Sequence, residues 1–162
     1  MGKRLGQTIV LLALFFLMLP AAQAEGVRRA LVIGFDTFQS QPSTTPSSAN
    51  NVSLVADALS GGSMDLQQLV THLDDIGTAD AFAQAVQEAF AGADETDVSY
   101  FYISTHGVWQ EGMNNGDVRL LLSDGVNEGS ITAREMRRIF DQVPGTKVLL
   151  IDACRSGAML GK

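Results

Sequence analysis

Apolar and polar positions along the chain change their spacing several times. Four short apolar runs, rich in β-branched and aromatic residues, predict β-strands at residues 28–35, 66–73, 98–105 and 148–151. Between these runs, apolar residues recur at the three- and four-residue spacing of an amphipathic helix face. The pattern therefore predicts strands that alternate with helices.

The first two helices are delimited by residues that start or stop a helix. A loop rich in Ser, Pro and Thr at residues 39–51 precedes the first helix, which ends at Gly61 and Gly62. Thr78 caps the second helix, which ends near Gly92. The predicted apolar faces are Val52, Val55, Ala56 and Leu59 in the first helix, and Ala79, Phe82, Val86, Ala89 and Phe90 in the second.

The third helix begins with a capping box, in which Thr132 and Glu135 each satisfy a backbone N–H group of the other. Pro144 and Gly145 are predicted to end it. Its apolar face consists of Met136, Ile139, Phe140 and Val143. Upstream, the sequence Asn-Asn-Gly-Asp at residues 114–117 predicts a hairpin turn at the rim of the sheet.

Alternating strands and helices favour an α/β fold, in which a mostly parallel sheet is covered by helices on its faces. With 46% hydrophobic residues, the chain is too apolar for a disordered tail. Its length is sufficient for one domain with its own core. We therefore expect a single α/β domain.

The amino terminus has the parts of a secretory signal peptide. A basic start is followed by an apolar run from Ile9 to Leu19, and Ala22 and Ala24 form an A-x-A cleavage site. We expect residues 1–24 to be removed and residues 25–162 to form one exported domain, periplasmic or extracellular, without stable membrane insertion. An uncleaved membrane anchor is the alternative, but the run is shorter than the ~20 residues that a spanning helix needs.

The exported part is acidic, and this limits the classes of partner that it can bind. Cleavage removes two basic residues and no acid, so the formal charge changes from −7 to −9. Nucleic-acid phosphates and anionic lipids repel such a surface. We therefore expect no nucleic-acid partner.

Cys154 is the only cysteine in the sequence, so no disulfide partner exists within this chain. It could be a buried inert thiol, an intermolecular link or a reactive group. Its position favours the last role, because Cys154 follows the fourth predicted strand and His106 follows the third. Parallel strands end at one edge of a sheet, about 4.8 Å apart, and ligands bind there. We expect the thiol and the imidazole to face each other.

Such a pair supplies nucleophilic catalysis. An imidazole that accepts the proton of a thiol yields the nucleophilic thiolate, and the imidazolium can later protonate a leaving amine. The N–H groups of Gly107 and Cys154 could stabilise the oxyanion of an acyl transfer. Cys154, His106 and Gly107 are therefore the catalytic candidates.

The sequences YFYISTHG and VLLIDACRSG resemble the caspase-like clan of cysteine peptidases, which includes caspases, metacaspases, clostripain and legumain. The separation of His106 and Cys154, 154 minus 106 or 48 residues, is similar to the interval of about 50 in caspases. RRALVIGF and ANNVSLVADAL resemble the first strand and helix of that fold. The resemblance implies a three-layer α/β/α caspase-like fold and a Cys-His endopeptidase acting on peptide or protein substrates.

The resemblance also implies a pocket for the residue before the cut. Asp152 stands where caspases have glutamine, and in metacaspases and clostripain-type enzymes an acid at this position selects Arg or Lys. Ser104 matches a pocket serine of metacaspases, and Asp36, just after the first strand, is a third candidate. Each has an ordinary alternative: Asp152 could cap a turn, Ser104 could bond to backbone, and Asp36 could be a loop acid.

Further expectations follow from the resemblance. Some members of the clan require calcium, which leaves a calcium site open, but the sequence has no EF-hand spacing and we expect no cofactor. Family members continue with strands that complete the sheet, so we expect an amino-terminal portion that is incomplete at its carboxyl end. An end at Lys162 would also suit self-cleavage after a basic residue. A non-catalytic caspase-like binding or assembly module is the alternative function, and the sequence does not determine the oligomeric state.

Overall fold

The structure is a computed structural model and describes residues 26–40, 47–109 and 118–160. The predicted signal peptide and the predicted turn at residues 114–117 lie outside these ranges. Within them, no helix is both long enough and apolar enough to cross a membrane.

Strands and helices alternate along the described chain. In order they are β1 (Arg28–Gly34), α1 (Ser48–Gly61), β2 (Gln68–Leu73), α2 (Ala79–Ala89), β3 (Val98–Ser104), β4 (Gly107–Val108), β5 (Arg119–Ser123), β6 (Glu128–Thr132), α3 (Ala133–Phe140) and β7 (Thr146–Asp152), followed by a 3₁₀ helix at Ser156–Leu160. The predicted strands and helices are thus confirmed.

β1, β2, β3 and β7 form a parallel sheet in the order β2-β1-β3-β7. The central strand β1 is fully buried from Ala30 to Gly34. A strand covered on both faces needs a nearly continuous apolar sequence, which is what this segment has. The predicted parallel sheet is confirmed.

Helices cover both faces of this sheet. On one face, Val52 of α1 clusters with Val32 of β1. On the other face, the rings of Phe82 in α2 and Phe140 in α3 contact Phe101 of β3, at centroid distances of 5.8 and 4.8 Å. The predicted three-layer α/β/α architecture is confirmed.

The starts of α2 and α3 agree with the local signals, whereas the start of α1 and the end of α3 differ from them. α1 begins at Ser48, inside the predicted loop at residues 39–51, because the carboxylate of Asp36 binds the first N–H groups of the helix. Thr78 caps α2, and Thr132 forms the predicted capping box with Glu135 at the start of α3. α3 ends at Phe140, before the predicted stop at Pro144. After Asp141, the N–H groups of Gln142 and Val143 bond three residues back, which is tighter than an α-helix.

β4, β5 and β6 form a separate antiparallel sheet in that order. Its apolar side chains Leu120, Leu122 and Ile131 are fully buried in the main core. The Thr105 hydroxyl, directly after β3, donates to the Leu121 carbonyl of β5 at 2.6 Å. This second sheet therefore anchors the segment in which His106 lies.

Candidate active site

β3 and β7 end side by side at the carboxyl edge of the parallel sheet. Their paired residues differ by 48 positions throughout, and the last pair is Ser104 with Asp152. The Thr105 N–H donates to the Asp152 carbonyl at 3.2 Å, so the two segments stay together beyond this pair. His106 and Cys154 differ by the same 48 positions and follow directly.

The two candidate catalytic side chains line one open cavity of about 400 Å³. Its lining residues are Ser104, Thr105, His106, Asp152, Ala153 and Cys154. Cys154 is exposed and His106 is partly buried. A thiol in this position is open to a substrate, and the imidazole belongs to the same cavity.

Contacts from two directions hold the segment around His106. The backbone N–H of Leu121 donates to the His106 carbonyl at 2.9 Å. The ring of Phe38, which is 96% buried in the loop after β1, lies 5.0 Å from the imidazole between centroids and is tilted by 52°. Such aromatic packing fixes the orientation of a ring without adding a charge to it.

Gly107 lies directly against the backbone of Cys154. A Cβ atom built at Gly107 would come within 1.7 Å of the Cys154 carbonyl oxygen, so only glycine fits here. Gly107 is opposite Leu120 in the β4–β5 ladder, and the adjacent hydrogen bond from Leu121 to His106 makes this a non-hydrogen-bonded pair. The Gly107 N–H is therefore not used in that ladder.

Asp152 at the end of β7 is exposed, and one of its carboxylate oxygens has two partners. Oδ2 accepts hydrogen bonds from the Tyr102 hydroxyl at 2.9 Å and from the Asn51 side-chain amide at 3.3 Å. Burial and the hydrogen bond to Asp152 raise the pKa of Tyr102 to about 12. The Tyr102 hydroxyl therefore stays protonated and donates to Asp152 at neutral pH.

Ser104 lines the cavity but is almost completely buried. Its hydroxyl oxygen accepts from the Ser48 hydroxyl at 3.0 Å and from the Asn51 amide at 3.2 Å. The Ser48 hydroxyl also lies within hydrogen-bond distance of the Ser104 and Phe35 carbonyls. These contacts join the end of β3 to the first turn of α1.

Asp36 does not line this cavity. Its two carboxylate oxygens accept from the backbone N–H groups of Ser48 at 2.6 Å and of Ala49 at 2.8 Å, at the start of α1. The residue before the helix, Ser47, makes no side-chain cap. Asp36, which lies just after β1, therefore accepts the hydrogen bonds of these N–H groups in its place. These contacts favour a helix-capping role over the substrate-pocket role that the sequence suggests.

The residue after Cys154 has an unusual backbone. Arg155 adopts a left-handed conformation with φ 65°, which is uncommon for a residue other than glycine. Its guanidinium lies 5.8 Å from the ring centroid of Trp109, within cation–π distance. Strained residues of this kind cluster at functional sites, so this feature is consistent with an active centre at Cys154.

Within the described residues, no group of three or more His, Cys, Asp and Glu side chains is arranged to hold a metal ion. Catalysis by a thiol and an imidazole requires no metal.

Several site residues escaped the sequence analysis. Tyr102 could have been found, because it lies two residues before Ser104 and so faces the same side of β3. Asn51, Phe38 and Trp109 carry no local signal, since their site contacts depend on how loops and helices pack against the sheet edge.

Comparison with known proteins identifies the family. A family model described as the caspase domain matches residues 27–162, which is most of the chain. A search of curated proteins finds no match. Among solved structures, protein GSU0716 from Geobacter sulfurreducens is similar, with a TM-score of 0.54, 15% sequence identity, 79% of this chain covered and 50% of that chain. This chain thus spans half the length of that structure, and at this identity the similarity concerns the fold alone.

With a caspase-domain match over the whole described α/β fold, the chain belongs to the caspase-domain family of peptidases.

Proposed function

We propose that this chain carries the catalytic centre of an exported cysteine endopeptidase that cleaves peptide bonds after Arg or Lys. Cys154 is the nucleophile, His106 transfers the proton, and Asp152 binds the cationic side chain before the cut. The observation that carries this proposal is the unbroken β3–β7 register, beyond which Cys154 and His106 line the same cavity.

The reaction begins when the His106 imidazole accepts the Cys154 proton and the thiolate attacks the peptide carbonyl carbon. The tetrahedral intermediate collapses to a Cys154 thioester as the imidazolium protonates the leaving amine. Water, deprotonated by His106, then hydrolyses the thioester and restores the thiol. The packing of Phe38 on the imidazole supports a fixed ring orientation for both proton transfers.

The oxyanion of each tetrahedral intermediate needs N–H donors. The Gly107 N–H is not used in the β4–β5 ladder, and Gly107 lies against the Cys154 backbone. The N–H groups of Gly107 and Cys154 are therefore suited to serve together as oxyanion donors.

Substrate preference rests on Asp152, which lines the cavity beside Cys154 and His106. Its carboxylate favours Arg or Lys and disfavours an acidic residue. Ser104 is buried in hydrogen bonds to α1, so its part in the pocket is to position its neighbours.

Export is supported by the amino-terminal sequence, with its apolar run and its Ala-x-Ala site. Mass spectrometry of the protein secreted or recovered from the periplasm should give Glu25 as the first residue. An intact amino terminus in the exported protein would contradict this part of the proposal.

A labelling experiment tests the Cys-His pair without any assumption about substrate. Cys154 is the only cysteine, so iodoacetamide labelling reports it alone, and the sequence contains just two histidines. We expect His106→Gln to slow labelling at pH 7 by roughly tenfold, because the thiolate loses its proton acceptor. His72→Gln is the matched control, because His72 pairs with Asp75 at 2.9 Å and does not line the cavity.

Turnover is measured on fluorogenic peptides that differ only in having Arg, Lys, Asp or Asn before the cut. We expect cleavage of the Arg and Lys peptides, its loss in Cys154→Ala, and a decrease of roughly 10²- to 10⁴-fold in His106→Gln. Turnover that survives Cys154→Ala would exclude the mechanism, and cleavage of the Asp peptide alone would exclude the role of Asp152. No turnover, together with equal labelling in both histidine variants, would favour a non-catalytic caspase-like module.

A further inference from the structure

The two carboxylate oxygens of Asp152 have unequal surroundings. Oδ2 accepts from both Tyr102 and Asn51, at 2.9 and 3.3 Å. Oδ1 accepts no hydrogen bond from the part of the chain that the structure describes. A carboxylate oxygen has two lone-pair sites, so Oδ2 is filled by protein donors and Oδ1 is left for a ligand.

Residues from β3, from α1 and from the loop after β1 position the donors to Oδ2. Tyr102 is 91% buried in β3 and donates through a hydroxyl that stays protonated. Asn51 belongs to the first turn of α1 and bridges Asp152 and the buried Ser104 with one amide group. Asp36 caps that same turn. The sheet and α1 therefore place both donors against Oδ2.

The unequal surroundings of the two Asp152 oxygens affect the binding of a substrate Arg and of a substrate Lys differently. A guanidinium binds a carboxylate best through two parallel N–H groups, one to each oxygen. An ammonium is a compact charge that one oxygen can bind. With Oδ2 occupied, the fork-like contact to Arg is obstructed, whereas the contact to Lys is not.

We propose that Tyr102 and Asn51 are specificity-determining residues that make this pocket prefer Lys over Arg, because they occupy Oδ2 of Asp152 and leave Oδ1 alone to the substrate. This inference rests on the proposed function and narrows its substrate class. Tyr102 and Asn51 act through Asp152 and are positioning residues.

The test compares two fluorogenic peptides that are identical except for Lys or Arg before the cut. For the native protein we expect a higher kcat/KM on the Lys peptide. In Tyr102→Phe and in Asn51→Ala, the ratio of Lys to Arg kcat/KM should fall by roughly three- to tenfold, because each variant frees a lone pair of Oδ2. Loss of stability alone would reduce both rates equally and would not change this ratio.

Tyr100→Phe is the matched control. Tyr100 is the only other tyrosine, lies two residues earlier on the same face of β3, and is paired across the sheet with Val148, whereas Asp152 is paired with Ser104. The ratio of Lys to Arg kcat/KM in Tyr100→Phe should equal that of the native protein. Asn51→Ser provides a second, smaller change on α1 if Asn51→Ala or Tyr102→Phe fails to fold, as monitored by circular dichroism.

The outcomes separate the two proposals. If Cys154-dependent turnover occurs but Arg is preferred, or if the ratio is unchanged in Tyr102→Phe and the Asn51 variants, the Lys preference is wrong and the peptidase stands. If neither peptide is cleaved in a Cys154-dependent way, the proposed function fails and this inference fails with it. A fall in the ratio that is confined to the Tyr102 and Asn51 variants supports the inference.

Discussion

Gly107 shows how closely single residues are constrained at this site. Its Cα lies so near the Cys154 backbone that one added carbon would overlap the Cys154 carbonyl, 1.7 Å away. The same residue offers an N–H group that the β4–β5 ladder does not use. Close packing and an N–H group that the β4–β5 ladder does not use thus come from one glycine between the two catalytic candidates.

Gly107→Ala should therefore impair both catalysis and folding. We expect kcat/KM to fall by roughly 10²-fold, since an ångström-scale displacement of reacting groups has about this effect, and the free energy of unfolding to fall by about 1–3 kcal/mol through overpacking. Peptide turnover and urea unfolding measure these two quantities. Gly157→Ala is the control, because nothing lies within 4 Å of a Cβ atom there. A Gly107→Ala protein with native activity and stability would contradict the close approach of Gly107 to the Cys154 backbone.

At the scale of elements, the first turn of α1 connects the scaffold to the site. Gly34 lets the helix approach β1, because a Cβ atom there would lie 2.6 Å from Val52 and 2.9 Å from Ser48. Asp36 then binds the first N–H groups of the helix, and Asn51, in the same turn, reaches Asp152. The position of α1 therefore contributes to which donors surround the carboxylate of Asp152.

Asp36→Ala tests whether this residue caps the helix or binds substrate. Loss of the cap should lower the free energy of unfolding by about 1 kcal/mol, as for other N-cap deletions, and Asp36→Asn should retain part of it. Asp57→Ala, at an exposed position within α1, is expected to change stability by less than about 0.5 kcal/mol. Unchanged stability together with a raised KM for basic peptides would instead assign Asp36 to the pocket.

At the scale of the whole molecule, the candidate site and an acid-sensitive contact of Asp97 lie at opposite edges of the sheet. The site is at the carboxyl ends of β3 and β7, whereas Asp97 precedes β3 at the amino edge. Its carboxylate accepts from the Arg29 guanidinium at 2.5 Å and from the Val27 N–H at 2.6 Å. Burial acts to raise the pKa of Asp97, but the hydrogen bonds from Arg29, Asp94 and Val27 together hold it below its ordinary value.

A lowered pKa in the folded state means that the unfolded chain binds the proton more readily. The stabilisation is therefore present above about pH 4 and is lost as pH falls through the pKa of the folded state. We expect Asp97→Asn to lower the free energy of unfolding at pH 7, and this difference from the native protein to shrink as pH falls below about 4. Urea unfolding across this pH range measures it. A difference that does not vary with pH would contradict the role of the Asp97 charge.

The sequence alone determined the type and order of the main elements. Strands appear as short β-branched and aromatic runs, and helix starts appear as Thr78 and the Thr132–Glu135 capping box, because these signals act within a few residues. It also indicated that His106 and Cys154 each follow a strand, which suffices to bring both to one edge of a parallel sheet. The end of α3 was predicted less well, because tight turns continue past Phe140.

Only the tertiary structure decided the strand order, the shared register of β3 and β7, and the surroundings of Asp152. The hydrogen bonds to Asp152 join residues 50 and 101 positions apart, and the cap on α1 comes from Asp36 across a loop. No local period or composition encodes such pairs, because they form only when α1 and the sheet pack together. The sequence thus determines where reactive groups occur along the chain, and long-range packing decides which groups surround them.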